Sequence, residues 1–168
     1  MKKVCMILLA AFATILPAGA QKVGFINTDS VMVALPEYQA AVKQLDAQAD
    51  QYKQELQNTL ASIDRLYNNY QSQKAYLSAS QRTSYENDII SREQQMKKRQ
   101  DECFGAEGLM AKASEQLLSP IRSKVTSAVS EYCEANGYTL ILDLAVSAGI
   151  VYKNGADDIT KEIINILK

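Results

Sequence analysis

Between residues 37 and 77 the sequence has no glycine and no proline, and apolar residues recur every seven positions. Because glycine and proline are the poorest helix formers, this segment can form one helix of about 60 Å. One position of the repeat holds Val42, Ala49, Leu56, Ile63, Tyr70 and Leu77, and the other holds Leu45, Tyr52, Thr59, Leu66 and Gln73. A repeat of this kind predicts a long helix that buries one narrow seam against a partner helix.

The repeat changes phase near residue 80 and continues through Arg82, Ile89, Met96, Cys103, Met110 and Leu117. Ser78 and Gln81 have the spacing of a capping box, which indicates a helix start. One unbroken helix in a parallel coiled coil is the alternative, but a shift of two residues favours a turn. We therefore predict an antiparallel hairpin with its tip near 78–80, in which Ile63 faces Met96 and Tyr52 faces Ala106.

The returning helix carries several residues that fit this pattern poorly. Arg92 and Arg99 fall on the seam, where their aliphatic stems could cover apolar neighbours. Gly105 and Gly108 each cost about 1 kcal/mol relative to alanine and indicate a soft point. Pro120 indicates a kink or a helix restart.

Both ends of the chain have the features of short strands. Residues 21–28, 138–144 and 150–152 are rich in β-branched and aromatic side chains, which predicts three strands. Asp29 or Ser30 can cap a short helix before Pro36. A last helix beginning at Asp158 or Thr160 would bury Ile159, Ile163, Ile164 and Leu167.

The predicted fold is α+β and mostly α, with an arm and a body. Residues 37–120 form the helical hairpin arm, and residues 21–36 and 121–168 form a small β-containing body. Three short strands leave sheet edges open and bury little surface. The body is therefore expected to close its sheet by association of several chains, although the pattern does not fix their number.

The first twenty residues have the features of a secretory signal peptide. Lys2 and Lys3 precede an apolar run from Val4 to Leu16, and Ala18-Gly19-Ala20 provides a cleavage site before Gln21. A membrane anchor is the alternative, but the run is shorter than the ~20 residues that span a bilayer. We expect a soluble, exported protein after cleavage.

No catalytic or cofactor-binding motif is found. The sequence has no histidine, which removes the commonest general base and metal ligand. We therefore predict neither an enzyme nor a protein with a cofactor or metal. Cys103 and Cys133 are expected to be free, mostly buried thiols, because a continuous helix would separate them by about 45 Å. A disulfide between subunits is the alternative.

Segments at both ends resemble the Skp/OmpH family of periplasmic outer-membrane-protein chaperones. At the start these are Lys22-Val-Gly-Phe-Ile-Asn-Thr-Asp-Ser30 and Leu35-Pro-Glu-Tyr38. At the end they are Gly137-Tyr-Thr-Leu-Ile-Leu-Asp143, Ile150-Val-Tyr152 and Asp158-Ile-Thr160. The resemblance implies a homotrimer whose arms surround a cavity, where unfolded outer-membrane proteins are held without ATP.

The charge of the chain departs from the basic character of the best-known members. After cleavage, 16 Lys and Arg face 19 Asp and Glu, whereas residues 65–100 hold seven basic and three acidic residues. Any weak attraction for anionic lipid is therefore expected at the distal arm. No nucleic-acid partner is predicted.

Four apolar residues fall beside the hairpin seam and are candidates for client binding. We call Leu60, Tyr67, Ile90 and Phe104 the apolar strip; Lys53, Lys74 and Lys97 are predicted to border it. Exposed apolar residues edged with charge usually mark a contact surface. Packing between arms or against the body is the alternative for the strip. For the whole protein, the alternative is a structural or adaptor coiled-coil protein of the cell envelope.

Overall fold

A computed structural model describes residues 21–168, so the predicted signal peptide lies outside the described residues. This part of the chain is mostly helical and contains one two-stranded sheet. Its elements are β1 (Lys22–Ile26), α1 (Thr28–Ala34), α2 (Pro36–Gln73), α3 (Ala79–Phe104), α4 (Leu109–Asn136), β2 (Tyr138–Asp143) and α5 (Thr160–Leu167). Within residues 21–168, no helix combines the length and apolar character that crossing a membrane would require.

The predicted hairpin is formed by α2 and α3. Helix α2 ends at Gln73, four residues before the predicted end at Leu77, and tightens into a 3-10 turn over Lys74–Tyr76. Gln81 donates its backbone N–H to the Ser78 hydroxyl (3.3 Å), and its side chain accepts the Ser78 N–H (2.9 Å). The predicted capping box and turn are therefore confirmed.

A small apolar cluster holds the distal part of the hairpin together. Ile63, Tyr70 and Ile89 are buried, and four further side chains pack against them, namely Leu66, Leu77, Tyr85 and Met96. The Tyr70 ring stacks on Tyr85 with 5.6 Å between centroids, and its hydroxyl donates to Glu86. The predicted seam residues of the two helices therefore pack together here, and the cluster is small because each helix contributes only one narrow stripe.

The returning limb is interrupted completely at residues 105–108, which we call the helix break. Gly105 has φ −63°, which any residue adopts, so backbone freedom is not what requires glycine. A Cβ at Gly105 would lie 2.5 Å from the Asp101 carbonyl oxygen, and one at Gly108 would lie 2.9 Å from that of Glu102. A continuous helix with a soft point was predicted here. Instead α3 ends at Phe104, and close backbone packing leaves little room for a side chain at Gly105 or Gly108.

Helix α4 joins the arm to the body without a second interruption. Of the two possibilities predicted at Pro120, a kink or a restart, the restart is wrong because α4 runs through this residue. Leu118, Ile121 and Val125 are buried in the body core on either side of the proline. The predicted boundary between residues 120 and 121 thus falls inside one helix.

The body core packs α1, the start of α2, α4 and α5 beside a parallel pair of strands. In this pair Phe25 of β1 lies opposite Leu142 of β2. The buried residues are Ile26, Val31, Met32, Leu35, Ala41, Leu118, Ile121, Val125, Ala128, Ile159 and Ile163. Strand β1 ends at Ile26, and Asn27 then caps α1 by accepting the Ser30 N–H (2.8 Å). This is the cap predicted at Asp29 or Ser30, displaced because the strand is shorter than predicted.

The predicted third strand is wrong. Residues 150–152 pair with no strand in the described chain, and Val151 and Tyr152 are 99% and 85% exposed. The Phe25 carbonyl instead accepts the Ile159 N–H (2.9 Å), which occupies the other edge of β1. Within residues 21–168 the body therefore has one two-stranded sheet, and one edge of β2 has no partner strand there.

Candidate functional site

The apolar strip lies exposed along the hairpin arm. Leu60 and Tyr67 are two helical turns apart on α2 and are 47% and 49% exposed. Ile90 and Phe104 follow α3 and are 50% and 39% exposed. The neighbouring seam is too narrow to bury these side chains, so the strip presents apolar surface to its surroundings.

Two residues of the strip meet in a shallow groove of about 400 Å³ between α2 and α3. Leu60 lines it from α2, and Phe104 lines it from the end of α3. The full lining is Lys53, Leu56, Gln57, Leu60, Met96, Gln100 and Phe104. Tyr67 and Ile90 are not part of this groove and lie nearer the tip. The structure thus brings together half of the predicted strip at one site.

The opposite flank of the hairpin has a different chemistry. A depression of about 220 Å³ there is lined by Leu56, Thr59, Ser62, Ile63, Arg92, Gln95, Met96 and Arg99. Outside the apolar seam residues, the side chains that line this depression are polar or charged. The lining of the groove, in contrast, includes the apolar Leu60 and Phe104. Apolar surface outside the seam is therefore concentrated on one flank at this level of the arm.

The three predicted lysines occupy three different places. Lys53 lines the groove and pairs with Asp50 at 3.2 Å. Lys74 lies at the tip, where its ammonium is 3.8 Å from Glu86. Lys97 lines a cleft of about 870 Å³ beside the helix break rather than the groove. Only Lys53 therefore adds positive charge directly to the groove.

Phe104 forms one wall of the groove and packs against the seam. Its ring meets Tyr52 edge to face, with 6.2 Å between centroids and 89° between planes. The seam pairing predicted for Tyr52 was with Ala106, but Ala106 is exposed in the helix break. The break therefore changes the partner of Tyr52 and places the last side chain of α3 beside the groove.

Arg99 and Glu55 form a bridge across the hairpin that the sequence pattern did not identify. Arg99 donates from Nε and Nη2 to the two Glu55 carboxylate oxygens, at 2.8 and 3.1 Å. This hydrogen bonding lowers the pKa of Glu55 below its ordinary value of 4.5. The predicted register, in which Ile63 faces Met96, places position 99 opposite position 60, so it did not point to Glu55. Arg99 was instead expected only to cover apolar seam residues with its aliphatic stem.

The body holds its polar groups in fully hydrogen-bonded turns. Asp143 accepts from the Thr28 N–H (3.1 Å) and hydroxyl (2.5 Å), and from the Ala145 N–H (3.0 Å). Burial acts to raise the pKa of Asp143, but these bonds outweigh it and hold the pKa below its ordinary value. Within residues 21–168, no three His, Cys, Asp or Glu side chains are grouped as metal ligands.

Comparison with known proteins gives one consistent family. Residues 22–167 match the family model for the outer membrane protein (OmpH-like). The chaperone protein Skp of Yersinia enterocolitica is 24% identical over 160 residues, covering 95% of this chain and 92% of that protein. Skp of Pectobacterium atrosepticum is 24% identical over 162 residues, covering 96% and 93%.

The fold is likewise shared with a solved structure. A crystal structure from Caulobacter crescentus, titled as an OmpH-like outer membrane chaperone, superposes with a TM-score of 0.67 at 14% identity. The match covers 89% of this chain and 85% of that chain. The arm and body described above are thus the architecture of an established fold, and the chain belongs to the OmpH-like outer membrane protein family.

Proposed function

We propose that this protein is an ATP-independent holding chaperone that binds unfolded outer-membrane proteins between helical arms and prevents their aggregation. The observation that carries the proposal is the exposure of four large apolar side chains along the hairpin arm, two of which line one groove. Relatives named as chaperone protein Skp support it, since they match nearly the whole chain. The chaperone role of these relatives also supports the proposal that this protein is not an enzyme.

The geometry of the strip suits loose holding rather than tight docking. Its four side chains are spread over many turns of the arm, and each is about half exposed. A client segment is therefore held by several small contacts rather than in one deep pocket. Each contact contributes little, and the sum over several arms retains an unfolded chain. Phe104 and Tyr67 provide large contact area at low cost in conformational entropy.

We propose a homotrimer as the working assembly. The unpaired edge of β2 supports association, because an open edge is a template for another strand. Leu140, Val146, Val151 and Tyr152 also expose apolar side chains in the same part of the body. Three copies would place three arms around a shared cavity, with the apolar strips as its lining.

The proposed location is the periplasm of a Gram-negative bacterium, reached by cleavage of residues 1–20. The net positive charge of residues 65–100 then adds a weak attraction for acidic client segments and for anionic lipid. Salt screens this attraction because the charges are exposed. Apolar contacts are therefore expected to dominate client holding at physiological ionic strength.

The test replaces all four residues of the strip with polar ones: Leu60→Gln, Tyr67→Gln, Ile90→Gln and Phe104→Ser. A urea-denatured β-barrel outer-membrane protein is diluted into buffer with each chaperone variant, and its aggregation is followed by light scattering. The wild type should keep the client soluble at near-stoichiometric amounts. The strip variant should lose most of this protection while retaining its helicity and assembly.

A matched control changes the opposite flank at the same level of the arm. Ser62→Gln and Gln95→Ser alter exposed positions there without removing apolar surface. This control should protect as the wild type does. Absence of protection by the wild type would favour the structural or adaptor coiled-coil function. Full protection by an assembled strip variant would exclude the strip from client holding.

A further inference from the structure

The groove wall at Phe104 is linked to the opposite flank of the hairpin by a chain of three contacts. Glu55 and Arg99 form the bidentate ion pair at 2.8 and 3.1 Å. The Arg99 guanidinium carbon lies 5.6 Å from the centroid of the Tyr52 ring. Tyr52 in turn packs edge to face on Phe104 at 6.2 Å. These contacts run from the polar flank, across the seam, to the groove.

Each of these three contacts limits the movement of the side chain that makes the next contact. A two-point bond to a carboxylate fixes the plane of a guanidinium more strongly than a single bond does. A guanidinium placed within 6 Å of an aromatic ring attracts its face and limits its rotation. The edge-to-face contact then limits the rotamers of Phe104, which has no following helical turn to hold it because α3 ends there.

A second arginine on the same stripe provides a comparison within the molecule. Arg92 precedes Arg99 by seven residues, and both line the polar depression. Arg92, however, pairs with Asp88 of its own helix at 2.9 Å, four residues away. It makes no contact of this kind across the hairpin. The two arginines thus lie on the same stripe, but Arg99 is the less exposed, at 37% against 50%, and besides Glu102 of its own helix at 3.6 Å it binds Glu55 across the hairpin.

We infer that Glu55, Arg99 and Tyr52 are positioning residues that hold Phe104 as a wall of the groove for an apolar client segment. This inference rests on the proposed function. The occupant it specifies is an extended segment in which apolar and polar residues alternate, as in the strands of membrane β-barrels. One apolar face of such a segment fits between Leu60 and Phe104, and Lys53 adds attraction for an acidic neighbour in the client.

The test uses the absence of tryptophan from the chain. Phe104→Trp introduces a single indole whose emission reports the environment of the groove wall. In this background we compare Glu55→Gln, Arg99→Met and Tyr52→Leu with Arg92→Met as the matched control. The first three should shift the emission to longer wavelength and speed its quenching by acrylamide. The Arg92→Met control should leave both unchanged.

The second readout is binding of a labelled ten-residue peptide in which leucine and threonine alternate. Loss of one exposed ion pair corresponds to a change of about two- to fivefold, so Glu55→Gln and Arg99→Met should weaken binding by this factor. Circular dichroism checks that each variant remains helical. Unchanged emission and affinity in folded Glu55→Gln and Arg99→Met variants would overturn the inference. Weaker binding with unchanged emission would also overturn the inference, because the ion pair would then affect binding without positioning Phe104.

A further variant separates this inference from the proposed function. Leu60→Gln, made in the protein that keeps Phe104, removes the facing wall of the groove and should weaken peptide binding. If Leu60→Gln leaves peptide binding unchanged, the groove is not the binding site and the proposed function fails at this point. The emission measurements need no peptide, so they still decide whether the three residues position Phe104.

Discussion

The distal arm depends on very few buried side chains, and Ile63→Ala should therefore open it selectively. Ile63 is 3% exposed and is one of only three buried residues in the distal cluster. Truncating a buried isoleucine to alanine costs about 2 to 5 kcal/mol, depending on how far the site collapses. A two-helix seam is open on both flanks and can close partly around the lost atoms. The lower end, about 2 to 3 kcal/mol, is the expected cost.

Amide hydrogen exchange followed by mass spectrometry measures this cost locally. Residues 55–105 should exchange faster than the body even in the wild type, because the arm has sparser buried contacts. Ile63→Ala should raise exchange in this segment by roughly 30- to 140-fold, since 1.4 kcal/mol corresponds to a factor of ten. Exchange in the body should change little, because the two clusters share no buried residue.

Ile163→Ala is the matched control in the body. Ile163 is fully buried in the body core, so the same truncation should accelerate exchange there and leave the distal arm nearly unchanged. Equal acceleration of arm and body by Ile63→Ala would refute the reasoning, because it would show that the two parts open as one unit. An increase of less than about threefold in the arm would also refute it.

Three further predictions concern the helix break, acid stability and assembly. Gly105→Ala should lower the free energy of unfolding by about 1 to 3 kcal/mol in denaturant titrations, because its Cβ meets the Asp101 carbonyl; a stabilised variant would contradict the packing account. Asp143 has a lowered pKa in the folded protein, so its contribution to stability is full above its ordinary pKa of 3.8 and is lost as pH falls through the lowered value. Asp143→Asn should therefore reduce the loss of stability as pH falls below about 4, and an unchanged pH dependence of stability would show that this carboxylate does not contribute to it. Light scattering of the cleaved chain at micromolar concentration should give a trimer, and a monomer would contradict the proposed assembly.

The arm was predictable from sequence because its signals are local and periodic. A seven-residue repeat, a phase change and the Ser78–Gln81 capping box together give the hairpin, its tip and the facing of Ile63 and Met96. The exposure of the four strip residues follows from the same helical geometry. These features need no knowledge of distant parts of the chain.

The features that the sequence did not predict depend on the three-dimensional surroundings. Gly105 has an ordinary φ, so only the nearby Asp101 carbonyl shows why a glycine is needed at this position of the helix break. Residues 150–152 have strand-like composition, but Ile159 pairs with the outer edge of β1, and the open edge of β2 has no partner strand within residues 21–168. Arg99 was recognised as unusual in the seam, whereas its partner Glu55 could be identified only from the folded register.

The most direct test of client holding on the apolar flank is site-specific photo-crosslinking. A photoreactive phenylalanine analogue is placed singly at Leu60, Ile90, Ser62 or Gln95, and each chaperone variant is mixed with the unfolded β-barrel client before irradiation. Crosslinks should form from positions 60 and 90 on the strip. Their yield should be at least about tenfold lower from positions 62 and 95, because the opposite flank offers the client no apolar surface outside the seam. Equal yields from both flanks, or higher yields from Ser62 and Gln95, would contradict the proposal that this strip holds the client.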